Sequence, residues 1–321
     1  MYFTGFADEA GKSIDAQIRA TKELGWKFIE SRAIDGVNMT DISDEKFEEV
    51  YAKLTAAGVS VNCFGSAVAN WAKDPRNDED FLKSIQELKR AFPRMKRLGT
   101  KMIRAMSFRI PDGIYPYPAD VEKEMFRKVR YLVSMCEDAG VLYLHENCMN
   151  YGGLSAQHTL KLVEAVDSKA FGLIFDTGNP IHSYDRSGKP PYTKTQSSWG
   201  FYSKVKKHIR YVHIKDGRIK ERPANEFYAK ADYTYPGEGE GDVKRIVTDL
   251  VTNGYNGGFS IEPHMAVVFH DAAVSSEEDE KARIYVEYGR RFMKIVADAA
   301  DSVRQKNKKT SVRPKTAKKK R

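Results

Sequence analysis

Residues 141–153 read VLYLHENCMNYGG. The apolar run Val141-Leu142-Tyr143-Leu144 has the composition of a strand buried on both faces, as strands of parallel sheets are. His145, Glu146 and Asn147 stand where that strand should end, and Gly152-Gly153 break the pattern. A carboxylate at the end of a buried strand is costly unless a basic side chain or a metal pairs with it. Glu146 therefore calls for a partner.

Outward from this stretch the same unit repeats. Short apolar runs at 2–6, 27–31, 59–64, 101–106, 171–176, 209–214 and 258–262 read as further strands. Between them, amphipathic spacing predicts helices over 13–24, 44–57, 78–98, 120–139, 155–166, 198–208, 242–252 and 277–303, several ended by glycine. Pro93 inside the third predicts a kink there or two helical pieces. The segments 110–118 and 215–241 read as loops, the second long, polar and rich in glycine. Alternating strands and helices imply a parallel sheet with right-handed crossovers. Eight such units over about 300 residues are the count for an α/β fold of the (β/α)8 TIM-barrel type. An open doubly wound sheet would carry a glycine-rich phosphate loop after strand one, and Phe6-Ala7-Asp8-Glu9-Ala10 is not one. The expected organisation is a single barrel domain over 1–303 and a basic, disordered tail over 304–321.

A barrel gathers its active site at the C-terminal ends of its strands. Glu146 ends strand five, Asp176 ends strand six, His213 lies near the end of strand seven and Glu262 ends strand eight. Three carboxylates in one mouth repel unless a cation neutralises them. With one imidazole they form a donor set for Mn²⁺, Mg²⁺, Co²⁺ or Zn²⁺. No cysteine joins the set, which speaks against a structural zinc.

The motifs His145-Glu146-Asn147, Phe175-Asp176-Thr177-Gly178-Asn179, Val212-His213-Ile214-Lys215-Asp216, Pro236-Gly237-Glu238-Gly239 and Ile261-Glu262 carry a resemblance. In this order the chain resembles the xylose isomerase-like barrel superfamily of sugar isomerases and epimerases, close to its ketose 3-epimerase and inosose dehydratase branches. The resemblance covers about residues 1–300 and implies that Glu146, Asp176, His213 and Glu262 bind one divalent ion, with Mn²⁺ expected first. It also implies that Glu146 and Glu262 flank a carbohydrate and move a proton on opposite faces of a carbon beside a carbonyl, through an enediolate. The expected activity is a metal-dependent sugar isomerase or epimerase. The alternative is a lyase or dehydratase of the same fold, acting on an inosose or a 3-keto-glycoside. Asn179 stands where the epimerase branch has a histidine, and Asn150-Tyr151-Gly152 where it has a further glutamate. These departures leave room for the lyase.

Lys215, beside His213, is a candidate catalytic group that neutralises an oxyanion or donates a proton; the other reading is an ion pair with Asp216. Substrate contacts are expected from Trp71, His182, His264 and Arg218. Glu30 and Asn62 could bond sugar hydroxyls. Arg104 and Arg109 flank the end of strand four, as phosphate contacts or ion-pair partners. His145 should point away from Glu146 into the interface between barrel and helices.

The net charge of +9 is concentrated at one end. Residues 304–321 hold ten Lys or Arg and no acid, so the rest of the chain is nearly neutral. Such a tail is usually solvated rather than a nucleic-acid site. The endonuclease branch of the superfamily has histidines at strand ends three and four, and here those ends are Cys63-Phe64-Gly65 and Met106-Ser107-Phe108. No apolar run reaches the roughly 18 residues of a membrane helix. Cys63, Cys136 and Cys148 show neither metal-finger spacing nor a disulfide framework, which suits a reducing cytoplasm. The expected partner is a small carbohydrate, with no membrane or nucleic acid, and a homo-oligomer is left open.

Overall fold

The computed structural model describes residues 1–111, 116–223, 227–268, 271–275 and 277–311, with side chains described outside 267–275 and 306–311. Eight parallel strands form the barrel: β1 (Tyr2–Gly5), β2 (Phe28–Ser31), β3 (Ser60–Gly65), β4 (Met102–Ala105), β5 (Leu142–Glu146), β6 (Phe171–Asp176), β7 (Ile209–Ile214) and β8 (Gly258–Ile261). They pair in the order β1-β8-β7-β6-β5-β4-β3-β2. A parallel bridge between Phe6 and Glu30 joins β1 to β2 and brings the sheet to near closure.

The main helices are α1 (Ile14–Glu23), α2 (Asp44–Ala57), α3 (Asp78–Leu98), α4 (Ala119–Asp138), α5 (Ala156–Val166), α6 (Ser198–Val205), α7 (Val243–Thr252) and α8 (Glu278–Ser311), with one further helical turn at Asn179–His182. Ser13, Ser43, Asn77, Ser155 and Ser197 accept a backbone N–H at the N-termini of α1, α2, α3, α5 and α6. Each thereby satisfies a donor that the helix itself cannot. Helix α3 runs unbroken through Pro93, so the two-piece alternative is not what forms. Ile85, Leu88, Ala91 and Met95 bury one stripe of it, and that packing outweighs the hydrogen bond the proline removes.

Period-two alternation decides what fills the barrel. Cys63, Leu144, Ile174 and Tyr211 form a small buried cluster inside it. Two residues further along β5, β6 and β7 stand Glu146, Asp176 and His213, so the inward phase of each strand carries them to the C-terminal mouth.

Two expectations change. The segment 215–241 is not only loop, because Gly217–Glu221 and Lys230–Tyr233 pair as an antiparallel hairpin. Its strands are polar and half exposed, so they lack the apolar alternation that marks a strand. Helix α8 continues past residue 303 to Ser311, with the first part of the basic tail in it. The rest of the expected disordered tail, 312–321, lies outside the described residues. Among the described residues, no helix is long and apolar enough to cross a membrane, and Cys63, Cys136 and Cys148 are free thiols.

Candidate metal centre and active-site cavity

Glu146, Asp176, His213 and Glu262 converge. One ligand atom from each lies within 4.8 Å of all the others, and all four residues are buried. The donor set read from the strand ends is thus brought together.

The imidazole shows what the arrangement lacks. His213 Nε2 donates to the Glu30 carboxylate at 3.0 Å, which leaves Nδ1 as the lone-pair side facing inward. His213 Nδ1 is fully buried with no hydrogen-bond partner. It lies 3.6 Å from Glu146 Oε1 and 3.9 Å from Glu262 Oε2. Lys215 supplies one positive charge here, 2.9 Å from Glu262 Oε2, but it does not reach Glu146, so a lone pair beside two carboxylate oxygens favours a further positive charge at Nδ1. Burial works against a charged ring, yet Glu30 and Glu146 outweigh it and raise His213 to about 10, so a proton takes the Nδ1 lone pair wherever no other cation does. The pocket therefore favours a cation, and three oxygens with one imidazole nitrogen fit a divalent ion. Glu30 is then the carboxylate that orients a metal-binding histidine. The expected contact of Glu30 with sugar hydroxyls is not formed: behind His213 and fully buried, Glu30 does not line the cavity.

Each glutamate has its own arginine. Arg104 Nε donates to Glu146 Oε2 at 2.5 Å, and Arg32 Nη1 donates to Glu262 Oε1 at 3.0 Å. Both guanidinium groups lie over the ring of Phe6, at 4.1 Å for Arg32 and 5.5 Å for Arg104. Burial would raise the two carboxyls. Arg104 and His213 instead bring Glu146 down to about 2, while Lys215, His264 and Arg32 hold Glu262 well below the carboxylate range. Burial lifts Asp176 to about 6 against the pull of Lys215.

Lys215 belongs to the centre. Its Nζ is 3.1 Å from Asp176 Oδ2 and 2.9 Å from Glu262 Oε2, so the alternative pairing with Asp216 is not formed. The Asp216 carboxylate instead accepts the backbone N–H groups of Gly217, Gly237, Gly239 and Gly241. Asn147 ties the strand ends together, accepting from Asp176 N–H and donating to Asp176 C=O.

A cavity of about 260 Å³ opens over these groups. Its lining includes Glu146, Glu262, Lys215, Arg32, Arg104, Trp71, His182 and His264. Trp71, His182 and His264 thus reach the place expected of them. Arg218 does not: it is exposed, and its guanidinium donates to the Glu238 carbonyl. Asn62 lies lower in the barrel, bonded to Tyr211 and Thr4. Arg104 pairs with Glu146 and Arg109 with Asp74. His145 is a buried structural group bonded to Ser107 and Asn150. Its ring and the Cys148 carbonyl together explain the glycine pair that ends the opening stretch. A Cβ on Gly152 would meet His145 Cε1 at 2.2 Å, and one on Gly153 would meet the Cys148 carbonyl oxygen at 1.7 Å.

Arg32 escaped the sequence reading, although it follows Glu30 by two residues and so shares its phase. A second acidic-histidine group, Glu9, Glu262 and His264, shares Glu262 with the first. Arg32 already sits there, within 3.2 Å of Glu9 and 3.0 Å of Glu262, so a side chain supplies the cation.

Comparison with known proteins follows the same line. An inosose dehydratase of Bacillus licheniformis is 25% identical over 159 residues, covering 46% of this chain and 48% of the dehydratase. The match thus spans about half the length of that relative. Among solved structures, a xylose isomerase-like TIM barrel protein from Mycobacterium smegmatis in complex with magnesium superposes with a TM-score of 0.64, 16% identity and coverage of 94% and 97% of the two chains. A D-tagatose 3-epimerase-like protein gives a TM-score of 0.64, 17% identity and coverage of 93% and 99%. Residues 18–291 match the family described as xylose isomerase-like TIM barrel, and the chain belongs to that family.

Proposed function

We propose that this barrel is a divalent-metal-dependent sugar isomerase or epimerase, acting on a keto-sugar or related polyol through an enediolate. The observation that carries this reading is the inward face of His213. Its unpartnered Nδ1 lies 3.6 Å from Glu146 and 3.9 Å from Glu262, the two glutamates that line the cavity. Glu146, Asp176, His213 and Glu262 would hold the ion, with Mn²⁺ the first candidate and Mg²⁺, Co²⁺ or Zn²⁺ the alternatives. When bound, a divalent ion supplies Lewis acidity that polarises a carbonyl and an adjacent hydroxyl.

The chain's own groups do the rest. Glu146 and Glu262 approach from different strands and serve as base and acid at the carbon beside the carbonyl. Arg104 and Arg32 fix one oxygen of each and keep both carboxylates charged. Lys215 Nζ, between Asp176 and Glu262, stabilises developing oxyanion charge. His182 and His264 line the cavity as candidate contacts to sugar hydroxyls. Three free thiols are in keeping with a cytoplasmic setting.

One observation favours a second reading. A buried ammonium 2.9 Å from the Glu262 carboxylate can protonate a β-leaving group, which turns the same enediolate into an elimination. The dehydratase relative points the same way. Incubation of the Mn²⁺-loaded protein with free ketoses, inososes and 3-keto-glycosides in D₂O separates the readings. Deuterium beside the carbonyl with an isomeric sugar as product supports the isomerase. Loss of water or of an aglycone establishes the lyase, and no exchange with any of them refutes both.

A further inference from the structure

Trp71 is one of the few large apolar side chains left exposed, at 38%, and it lines the cavity that contains Glu146 and Glu262. The segment that carries it, residues 66–77 between β3 and α3, is fixed to an unusual degree. Lys73 is buried and donates to the Ala67 carbonyl at 2.6 Å while pairing with Glu87 at 2.9 Å. Lys128 of α4 is buried as well. It donates to the Pro75 carbonyl at 2.8 Å and to Asp78 at 2.7 Å. Asp74 is held by Arg76 and Arg109. Ala69 and Phe108 both adopt left-handed backbone, with φ of 50° and 62°, and Phe108 N–H donates to the Ala69 carbonyl at 2.6 Å. Burying two ammonium groups and holding two non-glycine residues at positive φ each cost free energy. Proton transfer at the cavity floor does not require any of these devices. Their common effect is to hold the Trp71 segment in one place.

The lining of the cavity also divides by chemistry. Glu146, Glu262, Lys215, Arg32 and Arg104 are charged and suit hydroxyl and carbonyl oxygens. Ala33, Gly36, Ala67, Trp71 and Met149 offer apolar surface, interrupted by Asn38 and Asn70 from the same two segments. Ala33 and Gly36 belong to the short hairpin after β2, and Ala67 and Trp71 to the fixed segment. A single polyol seated on the charged floor makes little use of such a platform. A ring face does, because aromatic rings and the C–H faces of sugars pack on indole.

We propose that Trp71 and its apolar neighbours form an outer subsite for a second ring, joined to the reacting sugar through a glycosidic oxygen. The substrate class is then a glycoside rather than a free monosaccharide. This rests on the keto-sugar reading of the cavity floor, which it extends. The second ring can be an aryl group or another sugar, since both present a stacking face.

Calorimetric titration of the Mn²⁺-loaded full chain tests it, with methyl glucoside, phenyl glucoside and cellobiose as probes. The expected result is binding of phenyl glucoside, cellobiose or both about tenfold tighter than methyl glucoside. Phenyl glucoside against cellobiose tells which kind of ring is preferred. Trp71→Ala should remove that advantage and change the methyl glucoside affinity by less than about twofold, while Trp71→Phe should keep most of it. Equal affinity for all three probes, or an equal loss for all three in Trp71→Ala, overturns the subsite and leaves the keto-sugar reading standing. Failure of all three to bind overturns the subsite alone, because none of the probes presents a ketone and the keto-sugar reading is decided by the exchange experiment with ketoses.

Discussion

Arg104 donates from Nε to Oε2 of Glu146 across 2.5 Å, and both side chains are buried. The contact leaves Glu146 Oε1 to face His213. Arg32 does the same for the other glutamate, taking Oε1 of Glu262 and leaving Oε2 toward His213 and Lys215. Phe6 lies under both guanidinium groups, so the end of β1 supports the glutamates at β5 and β8 together.

Removing one member of such a pair should be worse than removing both. Arg104→Met leaves Glu146 charged and buried without its partner, which typically destabilises a protein by about 3–5 kcal/mol. Arg104→Met combined with Glu146→Gln should recover most of that loss, because neither charge is then stranded. Urea unfolding of the metal-free single and double variants measures the cycle. A single variant as stable as the parent chain would show that water, rather than Arg104, satisfies Glu146.

Glu30 does not line the cavity, and on the proposed metal reading its effect is on the ion. It fixes the ring of His213 through Nε2, so that Nδ1 faces Glu146 and Glu262. Outer partners of this kind are worth roughly 10- to 100-fold in metal affinity. Glu30→Gln should weaken Mn²⁺ binding by that factor in calorimetry and reduce the rise in Tm at a fixed Mn²⁺ concentration, without change at the cavity wall. Unaltered affinity would mean that the imidazole is oriented by packing against Phe6 and Tyr211 alone.

The glycines of Pro236-Gly237-Glu238-Gly239 have a structural reading in the four N–H groups that surround Asp216. A Cβ on Gly239 would come within 2.3 Å of Asp216 Oδ1 and 2.4 Å of the Gly217 carbonyl oxygen, which is backbone and cannot rotate away. Gly239→Ala should push the carboxylate out of this nest and free the hairpin from its anchor beside Lys215. A loss of about 1–3 kcal/mol is expected, with faster proteolytic cleavage within residues 217–241. Limited proteolysis mapped by mass spectrometry checks this, and an unchanged cleavage pattern would remove Asp216 as the anchor.

These cases show why some of the site could be read in advance. Glu146, Asp176, His213 and Glu262 are anomalies where they stand, because polar groups close otherwise apolar strands, and the barrel repeat then brings four anomalies to one mouth. Trp71 and His182 could be placed near that mouth because each follows a strand. Arg32 and Glu30 were harder, since a charged residue near a strand end is ordinarily a surface pair; only the phase of β2 turns them inward. For Lys215 the sequence allows both a catalytic group and an ion pair with its neighbour Asp216. Backbone N–H groups from a distant glycine-rich turn satisfy Asp216, and no local pattern reports that. Arg218 was misplaced for the same reason, because the hairpin it lies on is polar and its register comes from tertiary pairing.

Stability against acid should depend on His145. Its ring is fully buried against Ser107 and Asn150, and burial lowers it from the usual 6.5 to about 4. Below pH 6.5 the unfolded chain takes up a proton that the folded chain refuses until about pH 4, so the unfolded state binds more protons in this window. Folding stability therefore falls as pH drops from about 6.5 to 4. For a ring buried to this degree the loss is of the order of 3 kcal/mol. Other groups titrate over the same range, so the slope of the parent chain alone does not isolate this ring. His145→Gln keeps polar atoms beside Ser107 but cannot titrate. It should be less stable at pH 7.5 and lose less on going to pH 4.5, so that the two urea-unfolding profiles converge as the pH is lowered. Parallel profiles would show that His145 is not the group whose burial sets the acid limb.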